Sequence, residues 1–433
     1  MESVSTRTSH DIWSATMTIE QTSIRLPVEL FLQIIPYLYN HTSPREEWDF
    51  SYPSETRGRI SPSLLACSLV CHTWNDICRP LIFRSIHVDC NESVARSSLD
   101  FLHFTAPHLC KDILGLHLDL STETTEVPQW IDVCLGRFTK LRELELRYWS
   151  DVESISRASL LRGITSMLAG ASLKRLALVD WARSANNPKD LLLILSACSA
   201  TLEYLMIDSL PRGSSHTTPI VPSVVRMEAL RRIELYKFPT PFTRSITIEC
   251  PNLETFAISC NEQVPWELPS WIPERIPKLE LQSTYRYTLL QFRWPIYPSS
   301  LTIQLMPFGI TWPPDDFLAL LPFFDCLRHL TIKVFSSVRA LQPPFPESTH
   351  YDALCHLLQS LQRPTLLKRI IITVENRAPT PLEGDELEGI RVRENARLEK
   401  AFAPFLKSGT LSVQVVLLHW GESGREVLVR CGT

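Results

Sequence analysis

The sequence predicts an α/β protein: a short module of three helices, then a curved repeat solenoid with a parallel sheet on its concave side. Two observations carry the second part. The pattern apolar-x-x-apolar-x-apolar recurs nine times beyond residue 100, and helix-like segments stand between the copies. A third observation carries the first part, because residues 24–41 and 61–84 show helical spacing without that pattern. The expected organisation is a disordered polar tail over 1–22, a helical module over 23–88 and a repeat domain over 89–433.

The first helix is expected in "IRLPVELFLQIIPYLYNH", residues 24–41. Pro27 suits the first helical position, where its missing N–H costs nothing, and Glu29 lies in the same turn, where a carboxylate favours the helix dipole. Leu30, Ile34 and Leu38 then recur at helical spacing, and Pro36 ends the helix soon afterwards. The polar stretch at 40–59 is expected to be a surface loop. Ser61-Pro62 next caps a second helix. Leu65 and Leu69 share one face, whereas Val70, Trp74 and Ile77 continue at shifted phase, so a break between two short helices is expected near Leu69. Helices of this size make a marginal core and gain stability from a partner.

"LPVELFLQIIPYL" followed by "LLACSLVCHTWNDICRPLIF" resembles an F-box, in the form common in fungal F-box proteins. The shared residues are Leu26-Pro27-x-Glu29-Leu30, Ile34 on the first helix, and Leu69-Val70-Cys71-x-x-Trp74. The resemblance covers residues 24–84 and departs from the family at 40–59, where a short connection is usual. It implies docking on a Skp-type adaptor, and through it on a cullin. Leu26, Pro27, Leu30, Ile34, Leu65, Leu69, Val70 and Trp74 are the implied adaptor-binding residues.

The repeats read "ILGLHL" at Ile113, "LRELEL" at Leu141, "LKRLAL" at Leu173, "LEYLMI" at Leu202 and "LRRIEL" at Leu230. They continue as "LETFAI" at Leu253, "IPKLEL" at Ile276, "LRHLTI" at Leu327 and "LKRIII" at Leu367. The first five starts lie 28, 32, 29 and 28 residues apart, the spacing of leucine-rich repeats with small insertions. Each copy is expected to be a short strand with its apolar residues inward, and neighbours stack because no single repeat buries its own face. "ASLLRGITSMLAG", "DLLLILSAC" and "HYDALCHLLQSLQ" are expected to be helical returns, Asp315-Asp316 to cap a helix "DFLALLPFF", and "EGDELEGIRVRENARLEKAF" to be a helix with a solvated face.

Composition narrows the function classes. The chain is 44% hydrophobic with a formal net charge of −4, which suits a folded core and gives no basic field for nucleic acid or an anionic membrane. No "GxxxxGK[ST]" or "GxGxxG" occurs, so no phosphate-cradling loop is expected. The longest apolar run is far short of the roughly 20 residues that span a bilayer, and residues 1–22 lack the apolar stretch of a signal peptide. The 12 cysteines include no C-x-x-C, so reduced thiols in the cytoplasm or nucleus are expected. His103 and His108 near Cys110 lack the further ligands of a metal site. No cofactor, metal or catalytic residue is expected.

Strand alternation sends Glu143, Glu145, Arg147, Arg232, Glu234, Tyr236, His329, Thr331 and Lys333 out of the concave sheet as a mixed-charge surface for a target protein. Two functions compete. The chain is the substrate receptor of an SCF-type ubiquitin ligase and catalyses nothing itself, or it is a leucine-rich-repeat scaffold that assembles no ligase.

Overall fold

A computed structural model of the 433-residue chain describes residues 62–89, 99–120, 130–147, 154–179, 188–208, 223–236, 246–260, 269–283, 296–305, 323, 325–335, 348–360, 366–376, 385–421 and 424–432. The tail at 1–22, the first helix with Leu26, Pro27, Leu30 and Ile34, the loop at 40–59 and the cap at Asp315-Asp316 lie outside the described residues.

The described residues open with helices α1 (Pro62–Ser68) and α2 (His72–Ile82), separated at Leu69–Cys71, where the shift of apolar phase predicts a break. The strands follow: β1 (Ser85–Asp89), β2 (Gly115–Asp119), β3 (Glu143–Arg147), β4 (Arg175–Val179), β5 (Tyr204–Asp208), β6 (Ser223–Arg226), β7 (Arg232–Tyr236) and β8 (Ile246–Glu249). They continue with β9 (Thr255–Cys260), β10 (Lys278–Ser283), β11 (Ser300–Leu305), β12 (His329–Phe335), β13 (Arg369–Asn376), β14 (Ser412–Gly421) and β15 (Gly424–Gly432). Among the described residues, 13 of these form one open sheet in the order β1-β2-β3-β4-β5-β7-β9-β10-β11-β12-β13-β14-β15. Every neighbouring pair is parallel except the closing hairpin β14–β15.

All nine predicted copies are strands of this sheet, and the register shows why. Leu116, Leu144, Leu176, Leu205, Ile233, Phe256, Leu279, Leu301, Leu330 and Ile370 are successive partners across ten strands. Leu118, Leu146, Leu178, Ile207, Leu235, Ile258, Leu281, Ile303, Ile332 and Ile372 form a parallel second row. Both rows are buried. A slip of one residue would turn a whole strand's apolar set onto the polar face, so the two rows fix the register.

Four strands of the large sheet were not expected. β1, "FRSIHV", follows the repeat pattern with Phe83, Ile86 and Val88 in the apolar places, but stands within the stretch assigned to the helical module. β11 has a buried Pro298 where other copies start with Leu or Ile, which hides it from the pattern. β14 and β15 form the hairpin. The short β6 and β8 pair with each other in a second, two-stranded parallel sheet and precede β7 and β9, where helices precede β4 and β5.

Among the described residues the helices between strands include α3 (Ile131–Leu135), α4 (Ser154–Gly170), α5 (Pro188–Cys198), α6 (Ser348–Ser360) and α7 (Asp385–Lys407), and α4, α5 and α6 fall on the three predicted helical returns. Each buries a stripe at helical spacing, such as Leu191, Ile194, Leu195 and Cys198 on α5. On α7 the stripe is Ile390, Glu394, Leu398 and Phe402, which corrects the expected solvated face at one position. Glu394 is fully buried because it accepts hydrogen bonds from Tyr351 Oη at 3.0 Å and Arg397 Nη1 at 2.9 Å. At Gly163 on α4 an added Cβ would stand 2.8 Å from Asp132 Cα, so the missing side chain sets how closely α3 and α4 pack. One continuous apolar core runs from Val88 to Cys431. A separate cluster of Leu64, Cys78 and Ile82 holds α1 against α2, and Phe83 packs against both cores.

Candidate functional site

Two places bring the singled-out residues together. The first is the corner between α1 and α2. A tight turn, in which Leu69 N–H donates to Ala66 O at 3.2 Å and Val70 N–H to Cys67 O at 3.1 Å, ends α1. The Ser68 hydroxyl takes up the Leu65 carbonyl at 2.7 Å, and extended backbone at Cys71 starts α2. This turn throws Leu69 (85% exposed) and Val70 (67% exposed) away from the small core, with Leu65 also exposed. Trp74 instead lies half-buried against the cluster of Leu64, Cys78 and Ile82. Leaving Leu69 and Val70 in water forgoes about 1.5–3 kcal/mol for each.

The second place is the polar face of the large sheet. Alternation places Glu143, Glu145 and Arg147 there on β3, Arg232, Glu234 and Tyr236 on β7, and His329, Thr331 and Lys333 on β12. Two of them are not solvent-facing. Glu145 is 1% exposed and Glu234 is 2% exposed, because partners two residues away on the same strand, and His117 and Tyr204 on adjacent strands, cover their carboxylates.

Glu145 accepts from Arg147 Nε through one oxygen and, through the other, meets His117 Nδ1 at 2.9 Å. An ionised carboxylate only accepts, so Nδ1 carries the proton, and Nε2 on the other side of the ring meets the Ser85 hydroxyl at 3.1 Å. Ser85 has room because its register partner is Gly115, where a Cβ would stand 2.9 Å from Ser85 Oγ. A serine, a histidine and a carboxylate in this order resemble a nucleophile relay. The neighbouring N–H groups of Leu114 and Gly115 are nevertheless both spent on the Arg84 carbonyl, at 2.8 Å each, so they cannot stabilise a tetrahedral oxyanion.

Glu234 accepts from Arg232 Nε at 2.6 Å and from Tyr236 Oη at 2.8 Å. Burial pushes its carboxyl up, against Arg232 and the tyrosine hydroxyls, which hold it down. Arg232 also reaches Glu280 at 2.8 Å, and Lys278 binds Glu280 at 2.6 Å. Burial raises the Glu280 carboxyl, but the charges of Arg232, Lys278 and Lys333 outweigh it and leave the group below its ordinary value. Between these networks Ala177, Tyr204 and Met206 form a buried apolar patch, flanked by Val179 and Tyr236.

Ser85, His117 and Glu280 were not singled out from sequence. Only the register identifies them, since His117 is 28 residues from Glu145 and Glu280 is 48 residues from Arg232. No group of three metal-ligating side chains occurs among the described residues. His103 stacks on Trp130 with ring centroids 4.7 Å apart. The described cysteines are free thiols, and burial pushes Cys198 and Cys250 up to about 12. No described helix is long and apolar enough to cross a membrane.

Residues 24–89 match the model of the family described as F-box-like, a span that includes α1, α2 and β1. No curated protein matches the chain.

Proposed function

We propose, from the F-box-like domain that the chain carries over residues 24–89, that it is the substrate-recognition subunit of an SCF-type ubiquitin ligase. F-box domains typically bind Skp-type adaptors, and here the adaptor would in turn bring a cullin. The observation that carries the reading is the coincidence of that match with Leu69 and Val70, held in water by the α1–α2 turn at the positions where the resemblance puts adaptor contacts. Apolar side chains so placed are ordinary anchors of a protein interface.

The repeats are the target-holding part. Ten strands with two unbroken apolar rows support a leucine-rich-repeat solenoid, whose polar face would hold a target protein through Glu143, Arg147, Arg232, Tyr236, His329, Thr331 and Lys333. The chain catalyses nothing and needs no cofactor; it raises the effective concentration of the target beside the ubiquitin-carrying enzyme. That role belongs in the cytoplasm or nucleus.

Pull-down with a purified Skp-type adaptor tests the docking claim. Replacing Leu69 and Val70 with Glu removes two apolar anchors and leaves the Leu64–Cys78–Ile82 cluster in place. Adaptor capture is expected to fall roughly a hundredfold or more, the counterpart of about 3 kcal/mol, with the thermal transition of the sheet unchanged. Equal capture by a folded variant would contradict the proposed interface.

A further inference from the structure

From β3 to β10 most of the cations on the polar face and its margin are paired, Arg142 before β3 being an exception. Arg147 pairs with Glu145, Arg175 with Glu143 at 4.0 Å, Lys174 with Glu203 at 2.6 Å, and Arg231 with Glu254. Arg232 and Lys278 share Glu280, as described above. The pairing stops at β11, whose polar face carries Ser300, Thr302 and Gln304. Beyond it stand Arg328, His329 and Lys333 on and just before β12, with Lys368 and Arg369 at the start of β13. Among the described residues none of these five takes part in an ion pair, and Arg369 donates only to Gln414 Oε1, at 2.8 Å. Asp325 lies on the turn before β12, and Glu375 has its register place beside Phe335, at the far end of β13.

These basic residues share one corner of the sheet. The Arg328 carbonyl accepts the N–H groups of both Lys368 and Arg369, at 2.8 and 3.2 Å. His329 is the register partner of Arg369, and Lys333 lies further along β12 opposite Thr373. Arg328, His329, Lys368 and Arg369 are exposed, and Lys333 is half-buried. At about 3.3 Å per residue, Arg328 to Lys333 spans roughly 16 Å, the length of some five residues of extended chain.

We propose that this corner binds an acidic, extended segment of the recruited protein, with its carboxylates on Arg328, Lys368, Arg369 and Lys333 and the hydroxyls of Ser300 and Thr331 beside them. The inference rests on the sheet's polar face being the target-binding face. Charge complementarity selects the occupant: among the described residues Arg328, Lys368 and Arg369 pair with no carboxylate, and Lys333, whose field reaches Glu280, stands further along the same strand face. Guanidinium groups match carboxylates in a forked, two-bond geometry. Nucleic acid suits the site less well, because the rings carried by β11, β12 and β13 are His329 and Phe335 alone, at opposite ends of β12, too few and too far apart for successive bases to stack on.

Fluorescence anisotropy on the full chain decides it, with labelled hexaglutamate, hexalysine and a six-nucleotide oligothymidylate as probes. Hexaglutamate is expected to bind saturably and more weakly as salt is raised. Arg328→Glu, Lys368→Glu and Arg369→Glu together are expected to weaken it by roughly tenfold or more. The three corresponding Gln substitutions, which avoid charge reversal should that destabilise the sheet, are expected to give a smaller loss in the same direction. Equal hexaglutamate binding by parent and charge-neutralised chains would overturn the proposal, as would hexalysine or oligothymidylate binding at least as tightly. Adaptor capture is measured on the same preparations: its failure counts against the ligase reading alone, and the hexaglutamate result against the acidic-segment reading alone.

Discussion

Glu145 and Glu234 hold equivalent places on β3 and β7, and each is buried by a different means. Glu145 depends on His117 and Arg147, Glu234 on Arg232 and Tyr236. Removing the carboxylate of Glu145 with Ala leaves a half-buried Arg147 without its partner, and loss of one member of a buried pair is strongly destabilising. Glu145→Ala is therefore expected to lower unfolding free energy by roughly 2–4 kcal/mol in urea denaturation. Glu280 adds a pH dependence of known sign. Its folded-state pKa lies below the ordinary value, so its contribution is present above the unfolded pKa and is lost as pH falls through the folded one. The destabilisation caused by Glu280→Gln should accordingly be larger at neutral pH than in the acid range below the ordinary carboxylate value; a pH-independent difference would contradict the Arg232–Glu280–Lys278 network. The side each residue faces was legible from alternation, because that rule is local. Burial was not, because it depends also on His117 and Tyr204, brought alongside by adjacent strands.

At the scale of elements, helix α4 offers a test of packing against propensity. Gly163 meets Asp132 Cα and Leu135 Cδ1, whereas nothing lies within 4 Å of a Cβ at Gly170. Ala favours a helix interior over Gly by about 1 kcal/mol. Gly163→Val is nevertheless expected to destabilise by about 1–3 kcal/mol through overpacking against α3, and Gly170→Ala to be neutral or mildly stabilising. Equal effects in thermal melts would show that α3 does not press on α4. The strands were legible wherever Leu, Ile or Phe filled all three apolar places. β11 escaped because a proline fills the first, and β1 because its neighbours in sequence are helical. β6 and β8 escaped for a different reason: four-residue strands have too little alternation to separate them from a loop. On α7 the acidic and basic residues at helical spacing concealed Glu394, whose burial is set by Tyr351 on α6.

The whole molecule joins a small helical core to a long sheet through Phe83, which packs against both. That arrangement predicts separable losses. Substitutions at Leu69 and Val70 are expected to remove adaptor capture and spare the sheet. Charge changes at Arg328, Lys368 and Arg369 are expected to spare adaptor capture, measured with the same purified adaptor. The F-box-like domain was legible in the sequence, because two half-motifs stand in the order the F-box requires, and residues 24–89 match that family's model. The unpaired basic groups at Arg328, Lys368 and Arg369 were not, because they emerge only when the charges of the described residues are paired across strands. The central claim is that the exposed α1–α2 corner is an adaptor-docking surface. Calorimetric titration of the purified full chain with a purified Skp-type adaptor tests it most directly. The account predicts saturable one-to-one binding that the Leu69→Glu, Val70→Glu chain loses while its sheet still melts as the parent does; no heat of binding from the folded parent chain, or equal binding by the variant, would contradict it.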